Sequence, residues 1–206
     1  MAKSTAELNT PEAPPVAAGK GAVNRQKIIH AALNLFMERG YAETSIGDIA
    51  EHAGLLKGNL SYYFKTKAEM LESVSDARME ELFGRLKALL PADASALVSI
   101  KAFIQVTQDS AHELARVGCP VGTLASQLGK TDPALQPYAS RILEALQAWL
   151  VGQFARELPA TKARQHAEFL LTLLQGAAVM AHAFRDPALV DRQAKLAKAW
   201  LTDVLA

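Results

Sequence analysis

Thr44-Ser45-Ile46-Gly47-Asp48-Ile49-Ala50-Glu51-His52-Ala53-Gly54-Leu55-Leu56-Lys57-Gly58-Asn59-Leu60-Ser61-Tyr62-Tyr63-Phe64-Lys65-Thr66-Lys67 divides into two short helices around a glycine. Thr44 and Ser45 each carry a hydroxyl that can accept an amide hydrogen bond and cap the first helix. Ile46, Ile49, Ala50 and Ala53 recur at helical spacing and form its apolar stripe. Gly54 is the natural break, since glycine enters the left-handed conformation that ends a helix without a steric cost. The next helix covers about Lys57 to Phe64. From Leu55 to Lys67 the charged residues are Lys57, Lys65 and Lys67, with no acid. Glu43, Asp48 and Glu51 all lie earlier, so the positive potential is local.

Working outward, Ile28, Ala32, Leu35 and Phe36 predict a preceding helix that Gly40 stops. A following helix starts near Thr66, carries Met70, Leu71, Val74, Leu82, Leu86 and Leu89, and ends before Pro91. Three short helices with a glycine turn between the second and third form the layout of a helix-turn-helix. In that motif the later helix enters the DNA major groove. Residues 1–23 hold Pro11, Pro14, Pro15, Gly19 and Gly21 with no apolar period, and read as a disordered tail. Beyond Pro91, helices are expected at about 94–114, 120–128, 134–157, 161–184 and 187–205, with prolines at their edges. Asp132-Pro133 and Asp186-Pro187 read as helix starts, aspartate capping and proline in the first turn. No segment alternates cleanly, so the fold class is all-α. The expected division is a DNA-binding domain over 24–70 and a larger helical domain over 71–206.

Composition narrows the partners. Among 206 residues, 22 basic and 21 acidic side chains leave a formal net charge of +1. This excludes a broadly basic coat for nucleic acid but not a reader that uses a few placed cations. One cysteine, Cys119, excludes an internal disulfide and a zinc site built on several thiolates. No metal or cofactor motif stands out. No run of about 18 apolar residues is evident, and the N-terminus lacks the layout of a signal peptide. A cytoplasmic protein without membrane contact is expected.

The motif resembles the DNA-binding domain of the tetracycline-repressor (TetR) family over about residues 25–71. The similarity rests on Thr44 to Ala50, Ala53-Gly54 and Lys57 to Lys67, with Ala31-Ala32 and Leu35-Phe36 fitting the first helix and Leu71 the fourth. The resemblance implies a helical C-terminal domain that binds a small ligand and dimerises, and DNA release when the ligand binds. It assigns DNA contact to Thr44, Ser45, Lys57, Gly58, Asn59, Ser61, Tyr62, Tyr63 and Lys67, with Tyr63 pointing outward and Leu60 and Phe64 in the core. Two positions depart from the family's pattern. Leu56 stands where a capping Ser or Thr is usual, and Ser61 where a tyrosine is common.

A three-helix reader needs a partner copy to span two half-sites of a palindromic operator. The last two helices, about 161–184 and 187–205, are the expected homodimer surface. Their apolar residues are Phe169, Leu170, Leu173, Leu174, Ala177, Ala178, Ala181, Leu189, Leu196, Trp200 and Val204. The run Gly118 to Gln127 resembles a ligand-domain segment of one branch of the family. Candidate ligand-lining residues are Phe103, Thr107, His112, Cys119, Trp149, Phe169, Met180 and His182, a mostly apolar set with a few polar anchors suited to a small organic effector. Cys119 alternatively points to redox or electrophile sensing. A helical small-molecule enzyme would need a nucleophile with an oriented base, and no such motif is present. An architectural DNA binder would have a closed, empty C-terminal domain.

Overall fold

The computed structural model describes residues 19–206. The helices are α1 (Lys20–Glu38), α2 (Ile46–His52), α3 (Lys57–Tyr63), α4 (Lys67–Ala88), α5 (Ala96–Asp109), α6 (Ala111–Val117), α7 (Pro120–Thr131), α8 (Gln136–Phe154), α9 (Ala160–Phe184) and α10 (Pro187–Val204). The described residues form no strand, and the all-α expectation holds. The first helix starts earlier than expected. Lys20 to Val23 form the first turn of α1, whose first amides, on Ala22 and Val23, bond the Gly19 carbonyl. The rest of the expected tail, residues 1–18, lies outside the described residues.

Two further expectations are corrected. The single helix expected over 94–114 is α5 and α6, broken at Ser110. Arg85 of α4 donates to the Ser110 hydroxyl (3.2 Å) and to the Val106 carbonyl (3.4 Å), so a tertiary contact holds the break. Asp132-Pro133 starts no helix. Asp132 ends α7, and α8 begins only at Gln136 after a turn. Asp186-Pro187 does behave as expected: Asp186 accepts from the Ala188 amide at 3.0 Å, and Pro187 opens α10.

The helices enclose two cores. One gathers Ile28, Leu35 and Phe36 of α1, Ile49 of α2, Leu60 of α3 and Met70, Leu71 and Val74 of α4. It is completed by Leu124, Ala125 and Leu128 of α7 and Ala139 of α8. The larger core joins α5, α6, α8, α9 and α10 around Ile100, Ile104, Leu150, Phe154, Leu170 and Leu201. Residue 70, the expected boundary, therefore falls inside α4, which runs through both halves. By length and composition α9 is apolar enough to cross a membrane, though it contains no unbroken run of 18 apolar residues. In the fold it packs against α6, α8 and α10.

Arg185 ends α9 with φ 55°, the left-handed region that non-glycine residues disfavour. Its guanidinium reaches the Ala115 carbonyl (3.3 Å) and the Arg116 carbonyl in the last turn of α6. A cation on orphan carbonyls at a helix C-terminus is favourable and offsets the backbone strain.

Candidate nucleic-acid interface and ligand cavity

The turn between α2 and α3 follows from Gly54. At φ 67° it lets the Gly54 amide bond the Glu51 carbonyl (3.0 Å) and the Leu55 amide bond the Ala50 carbonyl (2.9 Å). This pair of bonds closes α2 in a Schellman motif and swings the chain into α3. Ser45 starts α2 through a capping box: its hydroxyl accepts from the Asp48 amide (3.1 Å), and the Asp48 carboxylate accepts from the Ser45 amide (2.8 Å). Hydrogen bonding to the carboxylate from the Ser45 side chain and backbone holds the Asp48 carboxyl below its ordinary value, helped by Arg39.

Thr44 does not share the capping role. It is 1% exposed, and its hydroxyl donates to the Gly40 carbonyl (2.8 Å) and lies 3.3 Å from the Leu35 carbonyl. Burial and these bonds to the end of α1 and the turn after it give the side chain a structural role. Ile46, expected in the buried stripe, is 36% exposed.

Along α3, Lys57, Gly58 and Asn59 are exposed and Leu60 is buried. Leu56 at the N-cap supplies no side-chain bond and is itself exposed. Ser61 donates its hydroxyl to the Gly58 carbonyl at 2.9 Å. Both tyrosines are expected on the DNA side, but only one is fully outward. Tyr62 is 81% exposed, whereas Tyr63 is half-buried against the N-terminal core, its hydroxyl accepting from Asn24 Nδ2 at 3.2 Å. The rings meet edge to face at 5.1 Å. Phe64 closes the helix from below, with the Arg25 guanidinium 4.9 Å over its ring.

The lysines differ as well. Lys57 makes no hydrogen bond or ion pair among the described residues. Lys65 points its ammonium back to the Ser61 carbonyl (3.4 Å). Lys67 lies 4.1 Å over the Tyr41 ring, and burial pulls its ammonium below the ordinary value while Glu43 opposes the shift. Sequence reasoning missed Asn24, which joins the start of α1 to the reading helix. Its signal was hidden because the N-terminal turn of α1 carries no apolar period.

In the larger half a cavity lies between α4, α5, α7, α8 and α9. It holds about 750 Å³ of space between atoms, counted out to the solvent at its mouth. Phe103, Thr107 and Cys119 line it, as expected. The other candidates lie elsewhere. His112 is exposed on α6, and Phe169 and Met180 face outward on α9. Trp149 stacks behind Phe103 with ring centroids 5.8 Å apart. The Nδ1 atom of His182 sits 3.3 Å from the Ala115 carbonyl. Helical phase decides this: a residue's chemistry suggests a pocket, but only packing says which face looks inward. The missed lining residues include Arg78, Leu82 and Leu86, spaced four apart on α4. Cys119 is buried, and its sulfur accepts the Gly122 amide (3.4 Å) at the start of α7.

Known proteins agree with this architecture. Residues 28–74 match the family model described as bacterial regulatory proteins of the tetR family. Residues 96–196 match that of the C-terminal domain of LmrA/YxaF-like transcriptional regulators. An uncharacterized HTH-type transcriptional regulator in the lacX 3′ region of Lactococcus lactis subsp. lactis is 30% identical over 125 residues, 60% of this chain and 64% of that protein. The chain thus spans a little under two thirds of that relative. The HTH-type transcriptional regulator BetI of Serratia proteamaculans is 30% identical over 165 residues, 77% of this chain and 80% of that one. The crystal structure of a TetR transcriptional regulator from Chloroflexus aurantiacus shares the fold, with a TM-score of 0.76 over 89% of this chain and 96% of that one at 24% identity. A helix-turn-helix on a helical C-terminal domain defines a DNA-binding regulator rather than an enzyme. This chain belongs to the TetR family of transcriptional regulators.

Proposed function

We propose that the protein is a dimeric repressor that holds a palindromic operator and releases it when a small organic molecule enters the cavity. The observation that carries this reading is α7. Cys119 and the first residues of the helix, Pro120 and Val121, wall the cavity, while Leu124, Ala125 and Leu128 are buried in the N-terminal core. Gln127 of the same helix accepts the Tyr41 amide at 3.1 Å, at the turn that leads into α2. One stiff element thus touches both the ligand space and the reader. A ligand that shifts its first turn changes the seating of the reader, which is the differential contact a switch requires.

The DNA-contacting set in this reading is Ser45, Lys57, Gly58, Asn59, Ser61, Tyr62, Tyr63 and Lys67. Tyr62 and Lys57 carry the greatest share because both are exposed and uncommitted to bonds within the fold. Dimerisation is supported by the outer face of α9 and α10, where Phe169, Met180, Phe184 and Leu196 are exposed and Leu173 and Trp200 half-buried. An apolar face of that kind on a folded chain marks an interaction surface. Such a protein works in the cytoplasm, where chromosomal DNA is.

The test is gel-shift titration with the DNA flanking the protein's own gene, repeated with compounds that raise its melting temperature. Saturable, salt-sensitive binding that those compounds weaken is the expected result. Binding no stronger than to unrelated DNA, or unaffected by every stabilising compound, contradicts the reading.

A further inference from the structure

The cavity wall is apolar except at a few points, and its charge is one-sided. Among the described residues, Arg78 of α4 is the single charged one lining it. That side chain is 11% exposed and meets Glu81 through Nη1 at 2.7 Å. Its Nε atom is buried with no hydrogen-bond partner among the described residues. Leaving such a donor unmet costs free energy, and the cost is larger on a charged group. One turn earlier on the same helix, the Ser75 hydroxyl is fully buried and likewise lacks a partner. Ser75 and Arg78 together border a second, much smaller space. Arg78, Pro120 and Val121 line this space and the main cavity alike, so the two are adjacent.

We propose that Arg78 and Ser75 form an anion-recognition subsite, and that the effector is an apolar molecule ending in a carboxylate. This deepens the effector reading above and rests on it. The carboxylate takes the Arg78 Nε–H and the Ser75 hydroxyl, two donors that the fold leaves unmatched. The guanidinium edge suits a planar carboxylate better than a neutral hydroxyl. The hydrocarbon or aromatic body lies against Leu82, Leu86 and Phe103 in the main cavity. A neutral ligand of the same shape fills the apolar part but offers the Arg78 Nε–H no charged acceptor.

The experiment is isothermal titration of the full chain with decanoate and 2-naphthoate, against decan-1-ol and 2-naphthalenemethanol. The acids are expected to bind at least about tenfold tighter than their alcohols, a difference of about 1.4 kcal/mol. Arg78→Gln is expected to abolish that preference while alcohol binding persists. Ser75→Ala, which removes an unpaired hydroxyl, is expected to raise the melting temperature and weaken the acids alone. It serves as the folded control should Arg78→Gln fail to fold. Equal affinity for acids and alcohols, or an acid preference that survives either variant, overturns the subsite and leaves the effector reading standing. If no probe of either kind binds, the subsite falls, and the effector reading is decided by its own gel-shift titration.

Discussion

Thr44 and Ser45 stand side by side with similar chemistry, yet their roles diverge. Ser45 caps α2, whereas Thr44 ties off α1 from inside the fold. Thr44→Val keeps the shape but leaves the Gly40 and Leu35 carbonyls without that donor. It is expected to cost about 1–2 kcal/mol in urea unfolding, while the variant that still folds binds DNA at unchanged affinity. A selective loss of DNA binding at unchanged stability would restore Thr44 to the interface. At the start of α3, Leu56 presents no acceptor to the orphan amides. Leu56→Ser is expected to raise stability by about 1 kcal/mol, read as a higher urea midpoint. The missing cap was legible in the sequence, because it depends on residue type alone. The orientation of the tyrosines was not: which ring packs on the core depends on the angle at which α3 crosses α1, and Asn24 fixes Tyr63 there.

Helix boundaries follow the same division between local and tertiary causes. The Gly54 turn, the Thr66 cap of α4 and the Asp186 cap of α10 were readable, since each rests on neighbouring residues. The break at Ser110 was not, because Arg85 makes it from another helix. Two of the caps carry a pH signature. Hydrogen bonds from Ser45 hold Asp48, and a hydrogen bond from Arg192 holds Asp186, below the ordinary carboxyl value of 3.8. Folding therefore favours their charged forms. Their contribution is complete above that value and is lost as pH falls through the lower folded values. Asp48→Ala with Asp186→Ala is expected to be less stable than wild type near neutral pH. Its melting temperature should then decline less steeply on the acid side. A parallel decline in both proteins would show that these carboxylates do not shape acid unfolding.

For the molecule as a whole, the sequence revealed the all-helical class and the reader because both rest on periodicity and turn chemistry. It revealed less of the cavity. Phe169 and Met180 belong to the same apolar helix as Leu171 and Leu174, but the first two face out and the last two line the cavity. Composition cannot separate a dimer face from a ligand wall on one helix. The outward set has its own consequence. Met180→Glu with Phe184→Glu places charges on an exposed stripe, so the fold is expected to survive. Sedimentation should then report a monomer, with operator affinity reduced at least about a hundredfold, or about 2.8 kcal/mol. An unchanged dimer would move the interface elsewhere. The central claim is that a paired helix-turn-helix reads a specific two-part DNA site. It is tested most directly by in vitro selection of bound duplexes from a random-sequence library. The account predicts enrichment of one inverted repeat, its half-sites separated by about one or two helical turns, roughly 10 or 20 base pairs, with Tyr62→Ala weakening binding to it. Failure to enrich any common sequence over repeated rounds would contradict it.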